Sequence, residues 1–113
     1  MHALDALGDP VRRRLVELFA AADQPAGQVS AVVEREFGIS QPAVARHLRV
    51  LREAGVVSRP ADGPRRVYRL EGAALEQMGS VVDRYRRLWR QRLDALDTEI
   101  ARGVRARDEE ERP

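Results

Sequence analysis

At 113 residues the chain has room for one domain with a single modest core, drawn mainly from Leu, Val and Ala because aromatics make up only 4%. It contains no cysteine, which excludes disulfides and thiolate metal sites, and no stretch approaches the ~18 apolar residues of a membrane span. Its formal net charge is only +2, and all 20 basic residues are arginine, which scarcely titrates and so carries the isoelectric point up to about 9.9.

The start of the chain lacks a basic segment followed by an apolar run, so a secretory signal is not expected and a cytoplasmic location is. The charge is unevenly spread. Residues 40–70 hold seven arginines against Glu53 and Asp62, whereas residues 71–113 hold nine arginines against ten acids. A basic middle third is what a face that meets phosphates requires.

A short helix is expected over Ala3–Leu7, closed by Gly8. Asp9 then offers an N-cap and Pro10 the first helical position, and Val11, Leu15, Leu18, Phe19 and Ala22 recur on one face of the helix that follows. Asp23 to Gly27 has the composition of a loop. The next helix is expected from about Gln28 to Phe37, ended by Gly38, with Ile39 tucked beneath the turn. Ser40 caps a third helix with Pro42 in its first turn, and Val44, Leu48 and Leu51 form its inner stripe before Gly55 closes it. Two short helices joined by a tight glycine turn, the second rich in arginine, make a helix-turn-helix signature.

Beyond Gly55 the runs Val56–Arg59 and Arg65–Leu70 have strand character, and Pro60 to Pro64 between them is a dense turn signal. A hairpin directly after a helix-turn-helix is a wing. From about 71 to 104 the pattern is helical again, with Leu75, Val82, Trp89 and Leu96 at intervals of seven. A domain this small does not need so long a helix for its own core, so the far half is expected to pack on a second copy, with Arg92 and Glu99 interrupting a strict heptad. Val82, Tyr85, Trp89, Leu93, Leu96 and Ile100, with Leu4 and Leu7 from the opening segment, are the candidate dimer contacts. Residues 105–113 are expected to be a disordered tail to a single domain spanning 1–104.

Two segments resemble one known family. Leu4 to Leu15 is similar to the opening of ArsR/SmtB-type bacterial repressors, and Ile39 to Val57 is similar to their recognition segment. The wing ending in Tyr68 and Leu70 is similar as well, and the likeness runs over roughly residues 3–100 in the right order. The resemblance implies a mainly α fold with a small β-hairpin, a winged helix-turn-helix whose terminal helices form a dimer interface, and a homodimer that represses a promoter. Metal-sensing members carry cysteines, or His/Asp/Glu clusters on the last helix. Here cysteine is absent, the histidines are His2 and His47 alone, and the last helix holds neither, so no metal and no cofactor is expected.

With Val44, Leu48 and Leu51 turned inward, the recognition helix presents Gln41, Pro42, Ala45, Arg46 and Arg49. Gln41 suits adenine and Arg46 suits the O6/N7 edge of guanine. By position in the family's pattern, Gln41, Ala45 and Arg46 fall on base-reading places, and Ala45 stands where a serine is common, leaving mainly a methyl contact. Ser40 offers a backbone amide to phosphate, Arg49 and Arg52 suit the DNA backbone, and Arg65 and Arg66 suit phosphates or the minor groove beside the wing. His47 reads as a partly buried imidazole or a backbone contact near the turn, and of Arg12, Arg13 and Arg14 one suits a phosphate, although ion pairs with Glu17 or interdomain acids are favoured. An enzyme is not expected, for want of a nucleophile, acid–base pair or phosphate loop. Two other readings stay open: a protein-interaction winged helix without specific DNA binding, and a repressor answering to an organic effector. The operator, the regulated genes and any effector lie beyond what the residues say.

Overall fold

The computed structural model describes residues 1–60 and 67–111. They form helices α1 (Ala3–Ala6), α2 (Pro10–Ala21), α3 (Ala26–Phe37), α4 (Gln41–Glu53) and α5 (Gly72–Glu111), with strands β1 (Gln24–Pro25), β2 (Val57–Ser58) and β3 (Val67–Leu70). Two compact units make up the chain, Met1–Met78 and Gly79–Pro113.

Several helix ends of the first unit fall on residues that satisfy loose backbone groups, although α3 follows Pro25 without a side-chain cap. The Asp9 carboxylate accepts from the Val11 and Arg12 N–H groups at 2.8 and 3.2 Å, and Pro10 opens α2. Gly38 takes the left-handed conformation at φ 64° and donates its N–H to the Glu34 carbonyl, which stops α3. Two residues later Ser40 Oγ accepts from the Ala43 N–H and starts α4. Gly55, at φ 74°, turns the chain out of α4 toward the wing.

The inner stripes of α2, α3 and α4 meet in one core. Leu15 and Phe19, Val29 and Val33, and Val44 and Leu51 are all buried, and Val56, Val57 and Tyr68 extend the cluster to the strands. Each such Leu or Val side chain stabilises the fold by about 1.5–3 kcal/mol relative to exposure. The Phe19 and Tyr68 rings pack with centroids 6.2 Å apart, joining α2 to the wing.

The sheet is antiparallel with order β1-β3-β2. Val57 pairs with Leu70 and Ser58 with Arg69, as a wing hairpin requires. The third strand is a departure from expectation. Gln24 pairs with Tyr68 and Pro25 with Val67, so part of the segment expected to be loop is strand, and α3 starts at Ala26, two residues before Gln28. A two-residue strand is too short to show alternation, and Pro25 is tolerated because β1 lies at the sheet edge.

The final helix also runs further than expected, to Glu111 where an end near residue 104 and a disordered tail were predicted. No proline interrupts it before Pro113, and Arg105 and Arg107 stand four residues ahead of Glu109 and Glu111, a spacing that supports a solvated helix. Ala74 and Met78 near its start are buried in the first unit. In the second unit Val82, Tyr85, Trp89, Leu93, Leu96, Ile100 and Val104 are 38–64% exposed. Val82, Trp89 and Leu96 keep the interval of seven, and Tyr85, Leu93, Ile100 and Val104 follow at helical steps of three and four. No helix among the described residues is long and apolar enough to cross a membrane.

Candidate nucleic-acid interface

The outer face of α4 is made by elimination. Val44 and Leu51 are buried and Leu48 packs against the core, so the opposite side of the helix carries Gln41, Pro42, Ala45, Arg46 and Arg49, all exposed. Ser40 is exposed at the same end, its hydroxyl committed to the Ala43 N–H. Gln41 and Ala45 line a shallow hollow of about 180 Å³ with Ala26, Gly27 and Ser30 of α3, the cleft between the two helices of the motif.

A second, more open hollow of about 380 Å³ lies where α4 gives way to the wing. Arg49, Arg52 and Arg59 border it together with Glu53, Val57 and Ser58. Arg59 was not singled out by the sequence. Its place beside two recognition-helix arginines follows from the turn at Gly55, which carries β2 back toward the end of α4. Arg65 and Arg66 lie outside the described residues.

What distinguishes these arginines is whether another group of the protein already holds them. Arg46, Arg49 and Arg59 make no hydrogen bond, ion pair or ring contact among the described residues. Arg52 is intermediate: its guanidinium carbon sits 5.6 Å from the Tyr68 ring centre and ties α4 to β3. Arg69 pairs with Glu71 at 3.4 Å, and that carboxyl also accepts from the Ser58 hydroxyl. The Ser58 hydrogen bond, reinforced by Arg69 against the cost of desolvation, holds the Glu71 carboxyl below its ordinary pKa.

The arginines of α2 are each held by another group of the protein. Arg14 bridges Glu36 of α3 at 2.8 Å and Glu17 at 3.1 Å, and its hydrogen bonds depress the Glu36 pKa. Arg13 donates to the Leu7 carbonyl at 2.7 Å and Arg12 to the Ala6 carbonyl at 2.6 Å, so both cap α1. Of the expected acid partners Glu17 is found, while Glu36 and the α1 carbonyls were not legible. His47 is half-buried, as expected, and its Nδ1 lies 3.2 Å from Arg12 Nη1.

The proposed dimer residues fall into two groups. Leu4 and Leu7 are partly buried and packed against the core of their own chain. Val82, Tyr85, Trp89, Leu93, Leu96 and Ile100 are open. Arg84 and Arg92 lie over the Tyr85 and Trp89 rings at 5.8 and 5.7 Å. Among the described residues no three His, Cys, Asp or Glu side chains gather as a metal-binding group.

A helix-turn-helix with a β wing and unpaired arginines on its second helix defines a DNA-binding regulator. The comparisons agree. Residues 7–59 match the family model for a helix-turn-helix domain. The chain is 39% identical over 85 residues to the HTH-type transcriptional regulator Rv2034 of Mycobacterium tuberculosis, covering 74% of this chain and 75% of that protein. It is 32% identical over 75 residues to the transcriptional repressor SdpR of Bacillus subtilis, covering 66% and 79%. A solved structure of a "possible transcriptional regulator for arsenical resistance" superposes with a TM-score of 0.63 at 36% identity over 75% of this chain and 84% of that one. An ArsR-like regulator from Rhodococcus sp. RHA1 gives a TM-score of 0.60 at 29% identity, covering 82% and 84%. The chain belongs to the ArsR family of winged helix-turn-helix transcriptional regulators, a family of regulators and not of enzymes.

Proposed function

We propose that the protein acts in the cytoplasm as a homodimeric repressor, each α4 reading the major groove and each wing meeting the adjacent backbone. The observation that carries this reading is the unpaired state of Arg46 and Arg49 beside Gln41 and Ala45 on the one solvent-facing side of α4. Arg46 takes guanine, Gln41 takes adenine, the Ala45 methyl packs on a base edge, and Arg49 and Arg59 take phosphates. Arg65 and Arg66, which lie outside the described residues, are assigned to phosphates or the adjacent minor groove by their chemistry alone. The exposed apolar row Val82 to Ile100 supports pairing of two copies through α5, and SdpR, a repressor by name, supports the direction of regulation. Two recognition helices in such a dimer would stand about 34 Å apart, one turn of DNA.

Fluorescence anisotropy on DNA from immediately upstream of the gene, against scrambled DNA across a salt series, tests the reading. Preference for the upstream fragment with a steep negative salt slope is expected. Arg46→Ala should lower the preference roughly tenfold, within the 1–3 kcal/mol of a bidentate base contact. Equal weak binding of the wild type to both fragments would overturn specific recognition of that DNA, and unchanged discrimination by Arg46→Ala would remove Arg46 from base reading.

A further inference from the structure

His47 is the one side chain of the recognition helix that is drawn into polar contact with the opening corner of the chain. Its Nδ1 lies 3.2 Å from Arg12 Nη1 and 3.8 Å from Asp9 Oδ1. The same guanidinium donates from Nε to the Ala6 carbonyl at 2.6 Å, and the same carboxylate oxygen caps α2 through the Val11 and Arg12 N–H groups. Three segments therefore converge on one point: the last residue of α1, the cap of α2 and the middle of α4.

The chemistry sets the direction of each bond. Guanidinium is only a donor, so in a hydrogen bond between the two groups Nδ1 is the acceptor and Arg12 Nη1 the donor. His47 makes no other polar contact among the described residues, and no buried side-chain nitrogen or oxygen there lacks a partner, so Nε2 is open to solvent. A lysine at position 12 would keep the charge but has one ammonium, which cannot occupy both guanidinium positions.

We propose that Arg12, seated on the Ala6 carbonyl and the Asp9 cap, grips His47 and sets the placement of α4 against the α1–α2 corner, making Arg12 and His47 positioning residues for DNA discrimination and not DNA contacts. Side chains on α4 read base edges only if the helix is held at one depth and roll, and the apolar stripe alone fixes neither as sharply as a directional hydrogen bond. The inference rests on the regulator reading above and adds residues that contact no base or phosphate.

The test uses the full chain with Arg12→Lys, His47→Leu, the double variant and His47→Asn, whose Oδ1 can replace Nδ1 as acceptor. Discrimination between upstream and scrambled DNA should fall roughly tenfold in either single variant and no further in the double, as expected of coupled neighbours. His47→Asn should recover most of it, and the salt slope should stay at the wild-type value throughout. A salt slope smaller by about one in His47→Leu would mark a phosphate contact and overturn the proposal. Multiplying losses in the double variant would also overturn it. Should the wild type itself not discriminate, the regulator reading fails, and the grip is judged separately by a urea-unfolding cycle on the free protein. There an Arg12→Lys effect of the same size with and without His47 would overturn it.

Discussion

Asp9 shows how much one side chain can carry. Burial opposes its ionisation, but the Arg12 and Val11 N–H donors, with His47 and Arg12 nearby, outweigh that and hold its pKa below the ordinary value. A carboxyl whose pKa is depressed by folding adds stability that is present above about pH 5 and is lost as pH falls through the native-state pKa. Asparagine caps as well as aspartate but does not titrate. Urea midpoints of Asp9→Asn should therefore fall less steeply between pH 6 and pH 3 than those of the wild type. The slope should shrink without vanishing, because Glu36 and Glu71 are depressed in the same direction. An unchanged acid slope would show that Asp9 is not stabilised as a carboxylate. The α2 arginines make a related point about what residues reveal in a sequence. Arg12, Arg13 and Arg14 look alike there, and so do Arg46 and Arg49. Which guanidiniums are engaged depends on partners as remote as Glu36, 22 residues from Arg14, and His47, 35 from Arg12. That sorting is absent from local pattern and appears only with the fold.

At the scale of elements, the helices were legible because each carries its own signals. Asp9-Pro10, Gly38, Ser40 and Gly55 mark ends by local chemistry, and the stripes of α2 to α4 bury their faces as the period predicts. β1 was not legible, since its two residues become strand only through β3, more than 40 positions later. The turn at Gly38 offers a direct check. A Cβ there would meet open space, so any cost comes from the left-handed backbone alone. Gly38→Ala should destabilise by about 1 kcal/mol, visible as a melting temperature lower by about 5 °C. No change would mean that the turn tolerates a second geometry. The exposed row on α5 is tested by Trp89→Asp, which places a charge among apolar neighbours. Sedimentation should report a monomer for this variant and a dimer for the wild type, with looser DNA binding because one half-site is lost. A dimeric Trp89→Asp protein would move the interface off this row.

For the whole molecule, the net charge of +2 says little, while its partition says a good deal. Arginines in the first segment are consumed by carbonyls and carboxylates, whereas Arg46 and Arg49 of α4 and Arg59 just after β2 are left open. The candidate face is therefore set by which charges remain after folding, and the sequence alone could supply only their number.

The pairing of β1 with β3 has a mechanical side. Pro25 is both a strand residue of the sheet and the residue from which α3 departs, with no spacer between the two roles. Its ring also fixes φ, so the joint has little freedom to bend. A pull on β3, such as a wing drawn toward a duplex would exert, reaches the first turn of α3 without slack to absorb it. Wing and helix-turn-helix are thus joined through Pro25 without a spacer, and Pro25→Gly is expected to loosen that joint, read as faster amide exchange in the first turn of α3.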